Sequence, residues 1–256
     1  MTVRSQFFSA DEGETVAVEN AEGKSAILLV CEHASNKLPL RYNNLGLGSD
    51  ALSSHIAWDP GALAIARLLS RKLDAALIFQ RFSRLIYDCN RPPESASAMP
   101  ASSEIYDIPG NENLSDAERF ARTAALYIPF HEAVSGLIER RKITGKGTVL
   151  VTIHSFTPVY HGRVRDVQIG ILHDADSRLA DAMLKDAKPN FRVERNEPYG
   201  PEDGVTHTLR LHALPNGLLN VMIEVRNDLI TDEEGQQAAA EYLGELLRKA
   251  IATRGH

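Results

Sequence analysis

TVLVTIH, residues 148–154, holds the apolar run Val149-Leu150-Val151 with Ile153 close behind and ends on a histidine. A strand with one face in water alternates apolar and polar residues, whereas a continuous apolar run suits a strand covered on both faces. The runs 26–31 (AILLVC), 76–79 (ALIF), 84–88 (RLIYD), 167–173 (VQIGILH) and 219–225 (LNVMIEV) read the same way. Segment 206–212 (THTLRLH) alternates instead and reads as an edge or antiparallel strand.

Helical patterns lie between these runs. Residues 61–73 bring Leu63, Ala66 and Leu69 near one face. Residues 115–141 open on a Ser115/Glu118 capping box, and Pro129 is expected to kink that helix. Residues 176–187 repeat Leu179, Met183 and Ala187, and 233–252 carry Ala239, Leu243, Leu246, Leu247 and Ala250 on one stripe. Strands alternating with helices predict an α/β fold: one domain over 1–256, with a mixed, mostly parallel sheet between two helical layers. Residues 1–24 read as a peripheral segment. Two loops stand out, 92–113 and 196–205 (NEPYGPEDGV), as candidate lids or binding loops.

Composition narrows the partners. The chain has 256 residues, 28 Lys+Arg and 34 Asp+Glu, and 43% apolar residues. That apolar share and a net charge of −6 exclude intrinsic disorder and argue against a nucleic-acid or anionic-membrane surface. No apolar run approaches the roughly 18 residues of a spanning helix, and the N-terminus lacks a signal-peptide pattern, so cytoplasm is the expected compartment. With two cysteines, Cys31 and Cys89, there is no disulfide framework and no cysteine zinc site.

Ligands of open α/β sheets bind outside the carboxyl ends of the strands. Those ends deliver Glu32-His33, Asp88-Cys89-Asn90-Arg91, His154-Ser155-Phe156 and Glu224-Val225-Arg226. Hydrolytic zinc is typically held by three His and Asp/Glu ligands with water in the fourth place. His33, His154 and Asp59 would supply that set, with Glu32 as the alternative acid. Glu224 would remain to take a proton from the activated water. Arg91, supported by Asn90, offers a planar fork for a substrate carboxylate.

Each residue also has a plainer reading. Either histidine alone reads as structural, and Asp59 reads equally as a helix cap. Arg226 reads as the partner of a neighbouring acid, and the cysteines as small core residues. Cys31 beside His33 suggests a thiol hydrolase, but no orienting acid or amide accompanies it. His131 reads as a packing residue, and the spacing names no partner for His161, His173, His207 or His212.

The stretches VCEHASNKLP, WDPGA, SRLIYDCNRP, TIHSFTP, NEPYGPEDG and NVMIEVRNDL, in that order over about 27–230, resemble the N-formylglutamate amidohydrolase family. A more distant resemblance is to zinc carboxypeptidases and aspartoacylase-like deacylases. Asn90-Arg91 is similar to their carboxylate-binding pair, His33 and His154 to their zinc histidines, and Glu224 to their catalytic glutamate. Those peptidases place a glutamate three residues after the first histidine, where this chain has Asn36. Cell-wall amidases draw the acid from a later helix, and Asp59 is similarly placed.

The resemblance implies a zinc-carboxypeptidase-like fold and a zinc-dependent hydrolase, with another divalent metal as the alternative. Its substrate would be a small anionic N-acyl amino acid, such as N-formylglutamate. Arg84 or Arg226 would face the developing oxyanion, and Tyr199 would close over the site. Another zinc amidase, or a non-catalytic carboxylate binder, is the alternative. The oligomeric state stays open.

Overall fold

A computed structural model describes residues 12–252. The strands are β1 (Val16–Glu19), β2 (Ile27–Cys31), β3 (Ala76–Gln80), β4 (Ser102–Ser103), β5 (Tyr106–Asp107), β6 (Val149–Phe156), β7 (Val159–Tyr160), β8 (Arg163–Val164), β9 (Ile169–Leu172), β10 (Val193–Arg195) and β11 (Leu219–Arg226). The helices are α1 (Ser49–Ser53), α2 (Ala62–Leu73), α3 (Asp116–Arg122), α4 (Ile128–Ile143), α5 (Arg178–Lys185) and α6 (Glu233–Ala252).

One sheet runs in the order β1-β3-β2-β6-β11-β9-β10 among the described residues. Its centre, β3-β2-β6-β11, is parallel, while β1 joins β3 and β9 joins β11 antiparallel. The sheet is therefore mixed and mostly parallel, as the apolar runs predict. Residues 1–11 of the N-terminal segment lie outside the described residues, and 12–24 include the edge strand β1.

The period of two along each strand divides the core. Ile27, Leu29 and Cys31 of β2 pack with α2, α5 and α6 on one face. Leu28 and Val30 pack with Phe130, Val134 and Leu137 of α4 on the other. Burial on both faces is what made the strands legible. From β2 the chain crosses by α2 to β3 on one side, then by α4 to β6 on the other. The crevice between the carboxyl ends of β2 and β6 is thus a switch point, where open α/β sheets bind ligands.

Two predicted strands are not strands. Residues 84–86 form a turn and 87–88 are irregular, although Leu85, Ile86 and Tyr87 are buried. Their backbone groups bond elsewhere: the carbonyls of Leu85 and Ile86 accept from Asn111 (2.8 Å) and Arg122 (3.4 Å), and the Asp88 N–H donates to Ala98 (2.8 Å). Buried side-chain donors replace a strand ladder here. Segment 206–212 is helical and continues into a π-helical turn at Leu209–Ala213. Thr206, Thr208, Leu209, His212 and Ala213 are its buried residues, a helical stripe that the apparent alternation concealed.

The expected kink at Pro129 takes another form. A π-helical turn at Thr123–Tyr127 joins α3 to α4, and the Ile128 N–H bonds the Thr123 carbonyl five residues back. Pro129 has no N–H to give, and the wide turn sets it in the first turn of α4, where none is needed. Ser115 caps α3 as predicted, its Oγ accepting from the Glu118 N–H at 3.2 Å.

Candidate active site

The residues after β2 and near the ends of β6 and β11 meet in a cavity of about 440 Å³. Its wall includes His33, Asp59, Arg84, Asp88, Asn90, Arg91, His154, Tyr199 and Glu224. His154 and Glu224 are cross-strand partners in the parallel β6–β11 register. His33 follows β2, and Asp59 is held to it through the backbone, its N–H donating to the His33 carbonyl at 2.9 Å.

Asp59 is not the cap of α2. Gly61 occupies that position, with φ +81° and Ile230 only 2.7 Å from where a Cβ would stand, so no other residue fits without strain. The tight Asp59-Pro60-Gly61 turn frees the carboxylate to face the histidines. Its Oδ2 lies 3.3 Å from His33 Nδ1 and 2.9 Å from His154 Nδ1, and accepts from the Ser155 N–H at 3.2 Å. The two Nδ1 atoms are 3.2 Å apart. Three donor atoms therefore form a small triangle, and these three buried residues could hold a metal ion.

The triangle's chemistry fits such an ion. His33 Nε2 lies 2.7 Å from Asp88 Oδ1, and a carboxylate only accepts, so Nε2 carries a hydrogen and Nδ1 is the nitrogen that offers a lone pair once the ring is neutral. His154 Nε2 lies 3.2 Å from Glu32 Oε2, off hydrogen-bond alignment but close enough for the same charge preference. Two nitrogen lone pairs and a carboxylate oxygen then converge on one point. A tetrahedral zinc with bonds of about 2.0–2.1 Å separates its ligand atoms by about 3.3 Å. Glu32, the alternative ligand, stands instead behind His154 and braces its outer nitrogen.

Charge agrees with geometry. Glu32, Asp59, Asp88 and Glu224 are buried around two imidazoles and the Arg84 guanidinium, whose Nη2 lies 2.6 Å from Asp88 Oδ2. Burial opposes the charge on His154, but Glu32 and Asp59 outweigh it and hold the ring well above its ordinary pKa. Burial likewise opposes ionisation of Asp88, yet Arg84 and His33 hold its carboxyl well below the usual carboxylate range. The site draws positive charge to its histidines. Glu224 differs: burial, reinforced by Asp59 among the nearby charges, pushes its carboxyl up to about 7. Its Oε2 has no hydrogen-bond partner among the described residues.

The remaining predicted residues have distinct surroundings. Arg91 lines the cavity, and its Nη1 donates to the carbonyls of Asn90 (2.9 Å) and Gly204 (3.0 Å). Asn90 also lines it, but its amide donates to the Val205 carbonyl and accepts from Thr208 at 3.1 Å, tying loop 196–205 to the site. Arg226 is not on the cavity wall: Asp228 (2.8 Å) and the Arg165 carbonyl (3.0 Å) hold its guanidinium. The plainer reading of Arg226, as partner of a neighbouring acid, is the one the structure gives.

Sequence reasoning missed His55 and Glu104, which line the outer wall with Nε2 and Oε2 3.1 Å apart. They come from separate loops, and no local spacing links them. His131 packs as expected, with Nδ1 2.8 Å from His212 Nε2 and Nε2 2.9 Å from the Cys89 carbonyl. Burial pushes His131 down to about 3, which marks it as a neutral core histidine.

Comparison with known proteins gives a family and a fold. A family model described as N-formylglutamate amidohydrolase matches residues 25–231. The crystal structure of gene product Atu2144 from Agrobacterium tumefaciens is 66% identical, covers 98% of this chain and 100% of its own, and superposes with a TM-score of 0.96. An N-formylglutamate amidohydrolase from Ralstonia eutropha is 18% identical, with 94% and 98% coverage and a TM-score of 0.66, a likeness of fold. No curated protein matches the chain.

Proposed function

Because the chain belongs to the N-formylglutamate amidohydrolase family, a family of hydrolases, we propose that it cleaves the amide of an N-formyl, or other N-acyl, acidic amino acid with the help of a bound divalent metal, zinc by the nature of its ligands. The observation that carries this reading is the pairing of two features: three converging metal-ligand atoms, and a buried, unpartnered carboxyl on the next strand.

His33, Asp59 and His154 would hold the metal, which when bound supplies a Lewis acid that makes water a nucleophile near neutral pH. Glu224 Oε2 takes a proton from a cavity water and returns it to the leaving nitrogen. Asp88 fixes the His33 imidazole from behind by a hydrogen bond, the Glu32 charge stands behind His154, and such outer partners set ring orientation and ligand basicity. Arg84, on the cavity wall, offers positive charge to the developing oxyanion. Arg91 anchors a substrate carboxylate with a guanidinium already held in place by two backbone carbonyls. Asn90 shapes the anchor by holding loop 196–205, and Tyr199 on that loop limits access of bulk water.

The substrate is a small anion, and the reading assigns no role to nucleic acid or membrane. No helix of the described residues is long and apolar enough to cross a membrane. The two cysteines are buried and unpaired, which suits the reducing cytoplasm.

Arg91→Ala should raise KM for the favoured substrate by about 10-fold or more with a smaller change in kcat, because it removes binding shared by ground and transition states. An unchanged KM would remove Arg91 from the anchor role. The reading as a whole is tested by assaying N-formyl, N-acetyl and peptide substrates with and without chelator. Turnover of an N-formyl acidic amino acid, lost on chelation and restored by zinc, is expected. Preference for another acyl group would redirect the reading to a related deacylase. Binding without turnover of any member would make the protein a carboxylate binder.

A further inference from the structure

We propose that Arg165 is a positioning residue that holds the Tyr199 hydroxyl as a hydrogen-bond donor into the cavity, there to meet the acyl oxygen of the substrate; this rests on the amide-hydrolase reading above.

Arg165 lies just after the β7–β8 hairpin and is fixed at both ends of its backbone. Its N–H donates to the Pro158 carbonyl at 2.8 Å, and its carbonyl accepts from Arg226 Nη1 at 3.0 Å. Arg226 is itself held by Asp228, so the residue absent from the cavity wall braces one that acts there indirectly. The Arg165 guanidinium lies among three rings, with its carbon 4.5 Å from the centre of Tyr160, 4.8 Å from Tyr199 and 5.7 Å from Phe156. Cation–π attraction and stacking hold such a planar group in one orientation.

From that position Arg165 Nη1 lies 3.0 Å from Tyr199 Oη. A guanidinium has donors and no acceptor, so the phenol oxygen must accept here. The phenol's own hydrogen is left for another acceptor. Tyr199 lines the cavity with Arg84 and Glu224, so an oxygen developing negative charge there is within its reach. Burial, and then the Glu224 charge, push the phenol up to about 12, so it keeps its hydrogen at neutral pH. The cation on the oxygen's lone-pair side also polarises the O–H bond and makes it a stronger donor. A donor aligned before the reaction stabilises the transition state without reorganising.

Tyr199→Phe should lower kcat by about 10²-fold, and Arg165→Met by about 10-fold, with KM nearly unchanged. Arg165→Lys, which keeps a charged donor but not the planar fork, should recover part of the loss. The double variant should be no slower than Tyr199→Phe alone, because both changes remove one interaction. Calorimetric affinity for the product glutamate should stay within about 2-fold in every variant, since the released amino acid no longer carries the acyl oxygen that Tyr199 meets. In protein labelled with ¹³Cζ-tyrosine, Arg165→Met should shift the resonance that Tyr199→Phe deletes. Multiplying losses in the double variant, an unchanged kcat in Arg165→Met, or an unmoved resonance would overturn the proposal. Absence of turnover in the wild type would overturn the hydrolase reading instead, and the resonance would still decide the Arg165–Tyr199 coupling.

Discussion

Replacing Glu224 by Gln is expected to lower kcat by about 10²–10⁴-fold, the range of a general acid–base group, while the protein keeps its metal and its fold. The two side chains have the same shape, and Glu224 is 4% exposed, so packing changes little. What changes is the capacity to take a proton. The amide has none, and Oε2 has no neighbour among the described residues to relay one. Steady-state kinetics with the best N-acyl substrate read the result, and a kcat near that of the wild type would remove Glu224 from the reaction.

The same variant has a second, opposite signature. Burial holds the Glu224 carboxyl up near 7, above its value in an unfolded chain. A group raised in the folded state contributes stability that is full below the unfolded pKa and is lost as pH rises through the folded one. Metal-free wild type should therefore lose stability between about pH 4.5 and 7 on this account, because the folded site resists ionisation. Glu224→Gln carries no such charge. It should melt above the wild type at pH 8, and the difference should vanish near pH 4, as differential scanning calorimetry of the metal-free proteins would record. Loss of activity with a gain in stability separates a working carboxyl from a structural one.

The second large effect concerns the metal. His154→Ala removes one of the three side chains proposed to hold it and should reduce zinc affinity by more than the 10–100-fold that outer partners of a ligand command. Asp88→Asn supplies the internal comparison. It weakens the partner of His33 Nε2 without touching the ligand atom, so its loss should fall within about 10–100-fold. Zinc titration against a competing chelator reads both. Uptake should also release protons, because the acidic surroundings favour protonated imidazoles when no metal is bound. Stoichiometric, tight zinc in His154→Ala would place the metal elsewhere.

The sequence was most readable where burial on both faces leaves an unbroken apolar run. β2, β3, β6, β9 and β11 all fall within their predicted segments to within two residues at each end. It misled where distant side chains supply the backbone partners. Nothing in RLIYD reveals that Asn111 and Arg122 will bond its carbonyls. THTLRLH alternates over so short a span that a helical stripe and a strand face coincide.

The candidate site divides the same way. His33, His154 and Glu224 stand at strand ends or in the turn after one, where the rule for α/β sheets directs attention, Asp59 stands in the turn before α2, and the structure brings the four together. Arg226 also stands at a strand end, but Asp228 two residues on turns it away. His55, Glu104 and Arg165 sit on loops far apart in the chain. Only the folded molecule brings them to the cavity wall or, for Arg165, to the tyrosine on it.

The parallel register that sets Glu224 opposite His154 ties both residues to the centre of the sheet. Backbone amides in the central strands of a sheet exchange with solvent only when the whole molecule opens, whereas loops open locally and often. Glu224 and His154 are thus locked to the most persistent cooperative unit, while Arg91 and Tyr199 stand on connecting segments, the class of structure that opens first. Bond-breaking geometry should persist until global unfolding, and selectivity can drift or be re-engineered by loop replacement without disturbing it.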